Sequence, residues 1–180
     1  MLLETQRIRI RDFEFKDKSN LFKIIWQKNV VRFMRDWSEN SPTPDSFDGY
    51  IRWHQKQKDS KNIYENKRYA VALKDTDELI GMVGMGIEDT LNEVEMAYFI
   101  DEDFQGNNYA TEALTTLAEW CFKVSEIPYL ILTIDCANEA SCRVAEKANF
   151  EKFEKRTPLS HKQPNMESDS YYYFRKYRTK

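Results

Sequence analysis

The chain has few of the residues that build common catalytic and metal centres. Only two histidines occur, His54 and His161, and they lie far apart in the sequence. The three cysteines, Cys121, Cys136 and Cys142, show no CxxC spacing. A histidine-based triad, a histidine-rich metal centre, a zinc site and a disulfide framework are therefore not expected, and we predict no metal. An odd number of cysteines without such spacing fits a reducing cytoplasm.

Long hydrophobic runs and a charge excess are also missing. No apolar stretch approaches the roughly 20 residues of a membrane span, and residues 1–12 do not have the pattern of a secretory signal. The 27 basic residues are balanced by 30 acidic ones, for a net charge of −3. This balance argues against a nucleic-acid partner and mildly favours cationic or amine-bearing substrates.

Two familiar phosphate-binding motifs are absent. Nothing matches GxxxxGK[ST], which excludes a P-loop. Gly81, Gly84 and Gly86 have the spacing GxxGxG, but they lie inside a predicted strand rather than at a strand-to-helix turn. A β-bulge, or close approach of a neighbouring backbone, explains these glycines better than a dinucleotide site.

What the chain does have is the composition of one globular domain spanning residues 1–180. It is 41% hydrophobic and 32% charged, and its length is ample for a single packed core. Residues 7–13 alternate charged residues with isoleucine and predict a strand. Ser19 is placed to cap the first helix, residues 38–46 predict a proline-containing loop, and a second helix follows toward Lys58. Four apolar residues are expected to share one face of the first helix: Leu21, Ile24, Ile25 and Trp26.

The middle of the chain reads as strands around one amphipathic helix. Residues 69–73 and 79–86 predict a hairpin with its turn at 74–77. Glu93–Ile100 predicts the next strand, a helix follows from about Ala110 to Cys121, and the apolar residues 129–136 predict a strand buried on both faces. A strand, a helix and a second strand predict a parallel pair with a right-handed crossover.

The last third predicts a helix over 141–148, a strand over 150–155, a polar loop over 156–168 and a closing strand over 170–177. The whole order predicts an α/β fold, in which a mixed sheet carries helices on its faces. Its ligand is expected beyond the carboxyl ends of the parallel strands. The run Tyr171–Tyr173 is expected to pack within the sheet; pairing of two copies through this run as an edge strand, and so a homodimer, is the alternative.

The most informative segment is the short polar turn at residues 105–108. It joins the strand Glu93–Ile100 to the following helix, whose free N–H groups and dipole favour an anion. Gly106 lets a phosphate approach closely, and Asn108 can adopt a positive φ. Taken alone, the turn favours an ordinary helix cap, but its place inside a β-α-β unit favours a pyrophosphate cradle.

Two separated motifs carry a family resemblance. The first consists of Gln105, Gly106, Asn107, Asn108, Tyr109 and Ala110, which follow Q/R-x-x-G-x-G/A except at Asn108. The second, N-x-x-S-x-R-V-x-E-K-x-G-F, starts at Asn138 and ends at Phe150. Together with the opening strand, they make the chain resemble the GNAT superfamily of acetyl-CoA-dependent N-acetyltransferases, and within it the ribosomal-protein-alanine (RimJ/RimL-type) branch. The resemblance spans nearly the whole chain.

The resemblance implies a donor site. It predicts a mostly antiparallel sheet whose central parallel pair splays apart, with the pantetheine arm of acetyl-CoA held by backbone groups near Phe99 and Ile100. Asn138 is implied to contact that arm while also capping its helix, and Arg143 to reach a phosphate unless it pairs with a neighbouring glutamate. The six residues implied to hold the pyrophosphate are Gln105, Gly106, Asn107, Asn108, Tyr109 and Ala110.

The chain departs from the family pattern at three glycines, where it has Ala97, Asn108 and Asn149. Asparagine is the best non-glycine residue for a left-handed backbone, so the two asparagines are compatible with the fold. At Asn108 the side chain must either turn away from the phosphate or bond to it.

The implied chemistry is direct attack of an amine on the thioester. Glu95 is our candidate base, because burial in an apolar strand should raise its pKa; a solvated or arginine-paired carboxylate is the alternative. Ser141 is a candidate acid for the departing thiolate, or simply a polar residue of the first helical turn. Cys142 lies where a helix dipole lowers a thiol pKa, but no histidine is near, so a structural thiol is favoured.

The acceptor is expected to be a primary amine, most simply a protein or peptide N-terminus. A small-molecule amine and a non-catalytic acyl-CoA-binding module are the alternatives. The aromatic residues Trp26, Trp37, Tyr50 and Trp53 are expected to pack in the core, with one or two lining the amine pocket.

Overall fold

The computed structural model describes residues 2–56, 60–158 and 167–179. These ranges contain one sheet of eight strands and six α-helices. The strands are β1 (Leu2–Glu4), β2 (Ile8–Arg11), β3 (Lys67–Leu73), β4 (Leu79–Glu88), β5 (Glu93–Ile100), β6 (Tyr129–Asp135), β7 (Glu151–Arg156) and β8 (Tyr171–Tyr177). The helices are α1 (Lys18–Ile25), α2 (Lys28–Phe33), α3 (Arg35–Glu39), α4 (Phe47–Lys56), α5 (Tyr109–Val124) and α6 (Glu139–Lys147).

The strand order is β1-β2-β3-β4-β5-β6-β8-β7. Every neighbouring pair is antiparallel except β5 and β6, which are parallel. The predicted mixed sheet with a central parallel pair is therefore confirmed. The predicted hairpin is β3 and β4, and its turn contains Asp77 at φ 57°. Within the described ranges, no helix is long and apolar enough to cross a membrane.

The two faces of the sheet are covered by different helices, as the alternation along β5 predicts. Val94, Met96 and Ile100 belong to the core cluster that contains the buried face of α5. Phe99 points to the other face and packs in the cluster of α1 and α4. Each large side chain buried in this way stabilises the fold by about 1.5–3 kcal/mol. The alternation of side chains along β5 thus determines which residues pack against α5 and which pack against α1 and α4.

The glycines of β4 reflect close backbone contacts. A Cβ on Gly81 would lie 2.3 Å from the Phe99 carbonyl oxygen, and one on Gly84 would lie 2.4 Å from the Lys67 carbonyl oxygen. These distances are too short for any side chain. The prediction that close approach explains the glycines is confirmed.

The parallel pair separates almost as soon as it forms. Glu95 and Ile131 are the one pair of partners that joins β5 to β6, whereas β5 pairs with β4 from Glu93 to Ile100. Beyond Glu95 the two strands therefore diverge toward their carboxyl ends. The gap between them is the feature of the fold that positions the candidate site.

Several local predictions in the N-terminal third are wrong. Ser19 does not cap α1, which begins at Lys18 directly after a 3-10 turn. Residues 38–46 are not one loop, because Ser38 belongs to α3 and Pro44 begins another 3-10 turn. Proline suits the first position of such a turn, because its ring fixes φ at a helical value. Trp26 follows the last residue of α1 and is 49% exposed, so it does not share the buried face of that helix.

The alternative of dimer formation through the start of β8 is also wrong. β8 lies between β6 and β7, and both of its edges are hydrogen-bonded. The tyrosine run therefore packs within the sheet as predicted. Of the predicted polar loop, residues 159–166 lie outside the described residues.

Asn149 ends the helix α6 in the left-handed conformation, at φ 60°. Its N–H donates to the Glu146 carbonyl at 3.0 Å, and the next N–H, of Phe150, donates to the Ala145 carbonyl at 2.9 Å. A left-handed residue after the helix satisfies these end carbonyls. The expectation that asparagine replaces glycine here without disturbing the fold is confirmed.

Replacing Asn149 tests this backbone constraint. We expect Asn149→Ala to lower the free energy of unfolding by about 1 kcal/mol, because the left-handed region costs a Cβ-bearing residue about 1–2 kcal/mol. Asn149→Gly should be neutral or stabilising. The measurement is urea denaturation of both variants; equal stability of the alanine and glycine variants would contradict the assignment.

Candidate functional site

A cavity of about 940 Å³ lies at the carboxyl ends of β5 and β6. Its wall includes residues from both faces of the sheet, such as Tyr98 on one and Phe99 on the other, so it occupies the gap between the two strands. One end is bounded by the turn before α5 and by α6, and the other by α2, α3 and residues 88–91. The position beyond the strand ends is the predicted one.

The turn at 105–108 forms the first end of the cavity. Gly106 has φ 80°, and a Cβ placed there would have nothing within 4 Å, so the space beside its backbone is open. Gln105 ties the turn to the end of β5, since its Nε2 donates to the Ile100 carbonyl at 2.9 Å. The helix α5 begins at Tyr109, so the N–H groups of Tyr109 and Ala110 belong to its first turn and lack partners within the helix.

Asn108 adopts the left-handed conformation expected at its position, with φ 63°. Its Oδ1 accepts a hydrogen bond from Lys147 Nζ of α6 at 2.8 Å. The side chain is therefore directed toward α6, and it brings a lysine to the wall of the cavity. Asn107 folds back on the turn, with Nδ2 at 3.2 Å from the Phe104 carbonyl.

An arginine from the start of the chain braces this turn. Arg7 Nη1 donates to the Asn107 carbonyl at 3.1 Å, and Nε donates to Glu112 at 2.9 Å. The guanidinium also lies over the ring of Tyr109, 4.6 Å from its centroid. The sequence analysis missed Arg7, because no periodicity relates two residues about a hundred positions apart.

Thr111 is a second residue that the sequence analysis missed. Its Oγ1 is buried and has no hydrogen-bond partner among the described residues, although Thr111 lines the cavity. A buried hydroxyl left unpaired costs about 1–3 kcal/mol. The orphan hydroxyl, the open space at Gly106 and the Lys147 ammonium together fit an anionic group such as a pyrophosphate.

Arg143 also lines this end of the cavity. Its Nη1 lies 3.4 Å from Glu139, and both side chains are largely exposed, so this ion pair is weak. The predicted alternative of a surface ion pair is therefore present. The pair leaves Arg143 close enough to the wall to meet a bound anion.

The start of α6 lines the middle of the cavity. Asn138 Oδ1 accepts the N–H of Ser141 at 3.1 Å, which confirms the predicted N-cap. Tyr98 donates its hydroxyl to the Ser141 carbonyl at 3.2 Å, and burial raises the pKa of Tyr98. Asn138 and Ser141 therefore lie opposite the diverging end of β5, close to the backbone of Phe99 and Ile100 in the cavity wall.

Glu95 lies where the two strands part. Its Oε1 accepts the backbone N–H of Thr133 at 3.1 Å and also accepts the Thr133 hydroxyl. Removal from water raises the pKa of Glu95, and the two bonds from Thr133 oppose this shift. Among the described residues, no cation is close enough to form an ion pair with it, so the arginine-paired alternative does not describe this half-buried carboxylate, which faces the cavity.

The far end of the cavity contains one of the four predicted aromatic residues. Trp37 lines the wall and packs edge-to-face on Phe99, with ring centroids 5.3 Å apart. Tyr50 lies behind it, 5.5 Å from the Trp37 ring. Trp37 and Tyr50 pack against the core, whereas Trp26 and Trp53 are 49% and 46% exposed and lie outside the cavity wall.

Cys142 behaves as a structural thiol. It is buried, and burial raises its pKa, which is the opposite of the shift expected from the helix dipole. Cysteine, histidine and acidic side chains in the described ranges form no group that could hold a metal ion.

Comparison with known proteins gives a consistent picture. Residues 7–151 match the family model of the acetyltransferase (GNAT) domain. The uncharacterized N-acetyltransferase YnaD of Bacillus subtilis (strain 168) is 27% identical over 177 residues, which cover 96% of this chain and 95% of the relative.

Two solved structures share the fold at low identity. One is RimL, described as a ribosomal L7/L12 alpha-N-protein acetyltransferase in complex with coenzyme A, with TM-score 0.78, 14% identity and 98% coverage of both chains. The other is a ribosomal-protein-S5-alanine acetyltransferase from Vibrio fischeri, with TM-score 0.76, 14% identity and coverage of 98% and 96%. The family match over most of the chain, on a fold with this gap in its sheet, shows that the protein is an acyltransferase that belongs to the GNAT acetyltransferase family.

Proposed function

We propose that this enzyme transfers the acetyl group of acetyl-CoA to the N-terminal amine of a protein or peptide, with Glu95 as the general base. The observation that carries the proposal is the position of Glu95. Its carboxylate stands at the point where β5 and β6 diverge, in the wall of the one cavity that also contains the turn before α5. A carboxylate with a raised pKa at this point can accept the proton that an ammonium must lose before it attacks.

The donor would be held by residues of the first end of the cavity. Its pyrophosphate would meet the N–H groups from Gly106 to Ala110, the Thr111 hydroxyl and the Lys147 ammonium. The Thr111 hydroxyl has no partner among the described residues, and the Lys147 ammonium keeps two donors beyond its bond to Asn108. Its pantetheine arm would follow the free edge of β5 at Phe99 and Ile100. When bound, acetyl-CoA supplies an acyl carbon activated as a thioester.

The geometry of Glu95 suits proton transfer. Both bonds from Thr133 go to Oε1, and Oε2 has no partner among the described residues. Thr133 therefore fixes the carboxylate and leaves one oxygen for the amine. Ser141 is our candidate acid, because its N–H and carbonyl are occupied by Asn138 and Tyr98 while its hydroxyl lies in the cavity wall.

The acceptor end favours a cation. The carboxylates of Asp36, Glu88, Glu95 and Asp135 line it and outnumber the guanidinium groups of Arg32 and Arg68, so an ammonium group is attracted toward the base. Two of the structural neighbours are described as acetyltransferases of ribosomal proteins, which supports a protein acceptor here. The free cysteines of the described ranges suit a cytoplasmic enzyme.

The direct test is acetylation of short peptides, followed as free thiol released from acetyl-CoA, with N-terminally blocked peptides as the control.

We expect Glu95→Gln to lower turnover by about 10²–10⁴-fold, the usual contribution of a positioned base, and to leave CoA binding intact. Glu93→Gln is a matched variant, since Glu93 shares the face but lies outside the cavity. Unchanged turnover in Glu95→Gln would remove this residue from the mechanism.

The raised pKa of Glu95 also predicts how stability depends on pH. The folded state binds the carboxyl proton of Glu95 more tightly than the unfolded chain does, since in the unfolded chain this carboxyl has its ordinary pKa of 4.5. The contribution of Glu95 is therefore complete below that value and is lost as pH rises through the folded-state pKa. Urea denaturation should show Glu95→Gln gaining stability relative to the wild type as pH rises above 4.5; a constant difference would contradict the shift.

A further inference from the structure

Arg68 of β3 extends across the sheet toward the reaction site. It pairs with Gly84 of β4, which in turn pairs with Ala97 of β5, so the three residues form one row on the face of Glu95. A Cβ on Gly84 would lie 2.4 Å from Arg68 Cδ. The absence of a side chain at Gly84 therefore lets Arg68 lie flat across β4, and Arg68 lines the cavity.

Half of the Arg68 guanidinium is anchored and half is free. Nη1 donates to the carbonyls of Lys67 at 3.0 Å and Met85 at 3.1 Å. Nε and Nη2 have no partner among the described residues. The free pair of N–H groups on one edge of the guanidinium is the arrangement that binds a carboxylate through two parallel hydrogen bonds.

The charge of Arg68 also lacks an ion-pair partner. Among the described residues, no carboxylate lies close enough to form one, whereas the buried Arg11 is paired with both Asp17 and Asp77. Desolvation lowers the pKa of Arg68, so holding this charge in the cavity is costly. The groups whose fields reach it are Tyr50, Glu95 and Asp36.

We propose that Arg68 binds a carboxylate of the acceptor, so that the preferred acceptor is a primary amine with a carboxylate a few bonds away. The inference rests on the proposed function: the ammonium end is placed at Glu95, and the carboxylate end is placed on the free edge of Arg68. Two sources share this chemistry, an acidic side chain near a peptide N-terminus and the α-carboxylate of a free amino acid.

The test compares two matched pairs of acceptors. One pair is a peptide beginning Ala-Asp and its Ala-Asn counterpart, and the other is alanine and alaninamide. The wild type should prefer the acid of at least one pair by about tenfold to a hundredfold in kcat/KM, the usual effect of a hydrogen-bonded charge pair. The pair that shows the preference identifies the source of the carboxylate.

Substitution of Arg68 separates recognition from a general structural role. Arg68→Met should remove the preference, mainly by raising KM for the acid, and should leave the amide within a few-fold; Arg68→Lys should restore part of it. Arg52→Met, on α4 and outside the cavity wall, is the control. No preference in the wild type, or an equal loss of kcat on acid and amide in Arg68→Met, would overturn the proposal.

Binding to the CoA-saturated protein distinguishes the two proposals. Thermal stabilisation by each acid and amide is measured without turnover, and the acid should stabilise the wild type but not Arg68→Met. Acid-selective binding without acetylation of any amine would overturn the proposed function and retain the role of Arg68. Acetylation without any preference for the acid would retain the proposed function and overturn the role of Arg68.

Discussion

The contact between the Glu95 carboxylate and the backbone of Thr133 joins β5 to β6 where the gap in the sheet begins. It replaces a strand-to-strand hydrogen bond at the point where the described residues of β5 and β6 lose their pairing. β5 remains fully paired with β4, and β6 with β8, so each strand stays in place while the gap opens between them. A cavity through the middle of a sheet is otherwise costly, because unpaired backbone groups line it.

The same contact gives the gap its chemistry. Removal from water raises the pKa of Glu95 while Thr133 opposes the shift, and the hydroxyl and N–H of Thr133 fix which oxygen is free. Charges are then divided along the cavity. Lys147 and Arg143 stand with Glu139 at the end near α5 and α6, whereas four carboxylates stand with Arg32 and Arg68 at the end near α2 and α3. This division suits an anionic donor entering from one side and an amine from the other.

Patterns between neighbouring residues predicted much of this arrangement. Alternation along Glu93–Ile100 indicated which side chains share the face of Glu95, and the β-α-β order indicated the parallel pair. Two of the residues that the sequence analysis missed act through contacts between segments far apart in the chain. Arg7 reaches the turn at Asn107, and Arg68 crosses Gly84 on a neighbouring strand whose register the sequence does not state. Thr111 was missed because the sequence does not show which hydroxyl of a helix is left without a partner. The five-residue helix α3 was missed because a helix of little more than one turn shows no periodicity.

The central claim, that the turn before α5 and the free edge of β5 bind the donor, is tested most directly by amide hydrogen exchange with and without CoA. We predict slower exchange for the amides from Gly106 to Thr111 and for those of Tyr98 and Ile100, because bound CoA would accept their hydrogen bonds. The outer strands β1 and β7 should exchange as before. Protection confined to other parts of the chain, or no protection at saturating CoA, would contradict this account.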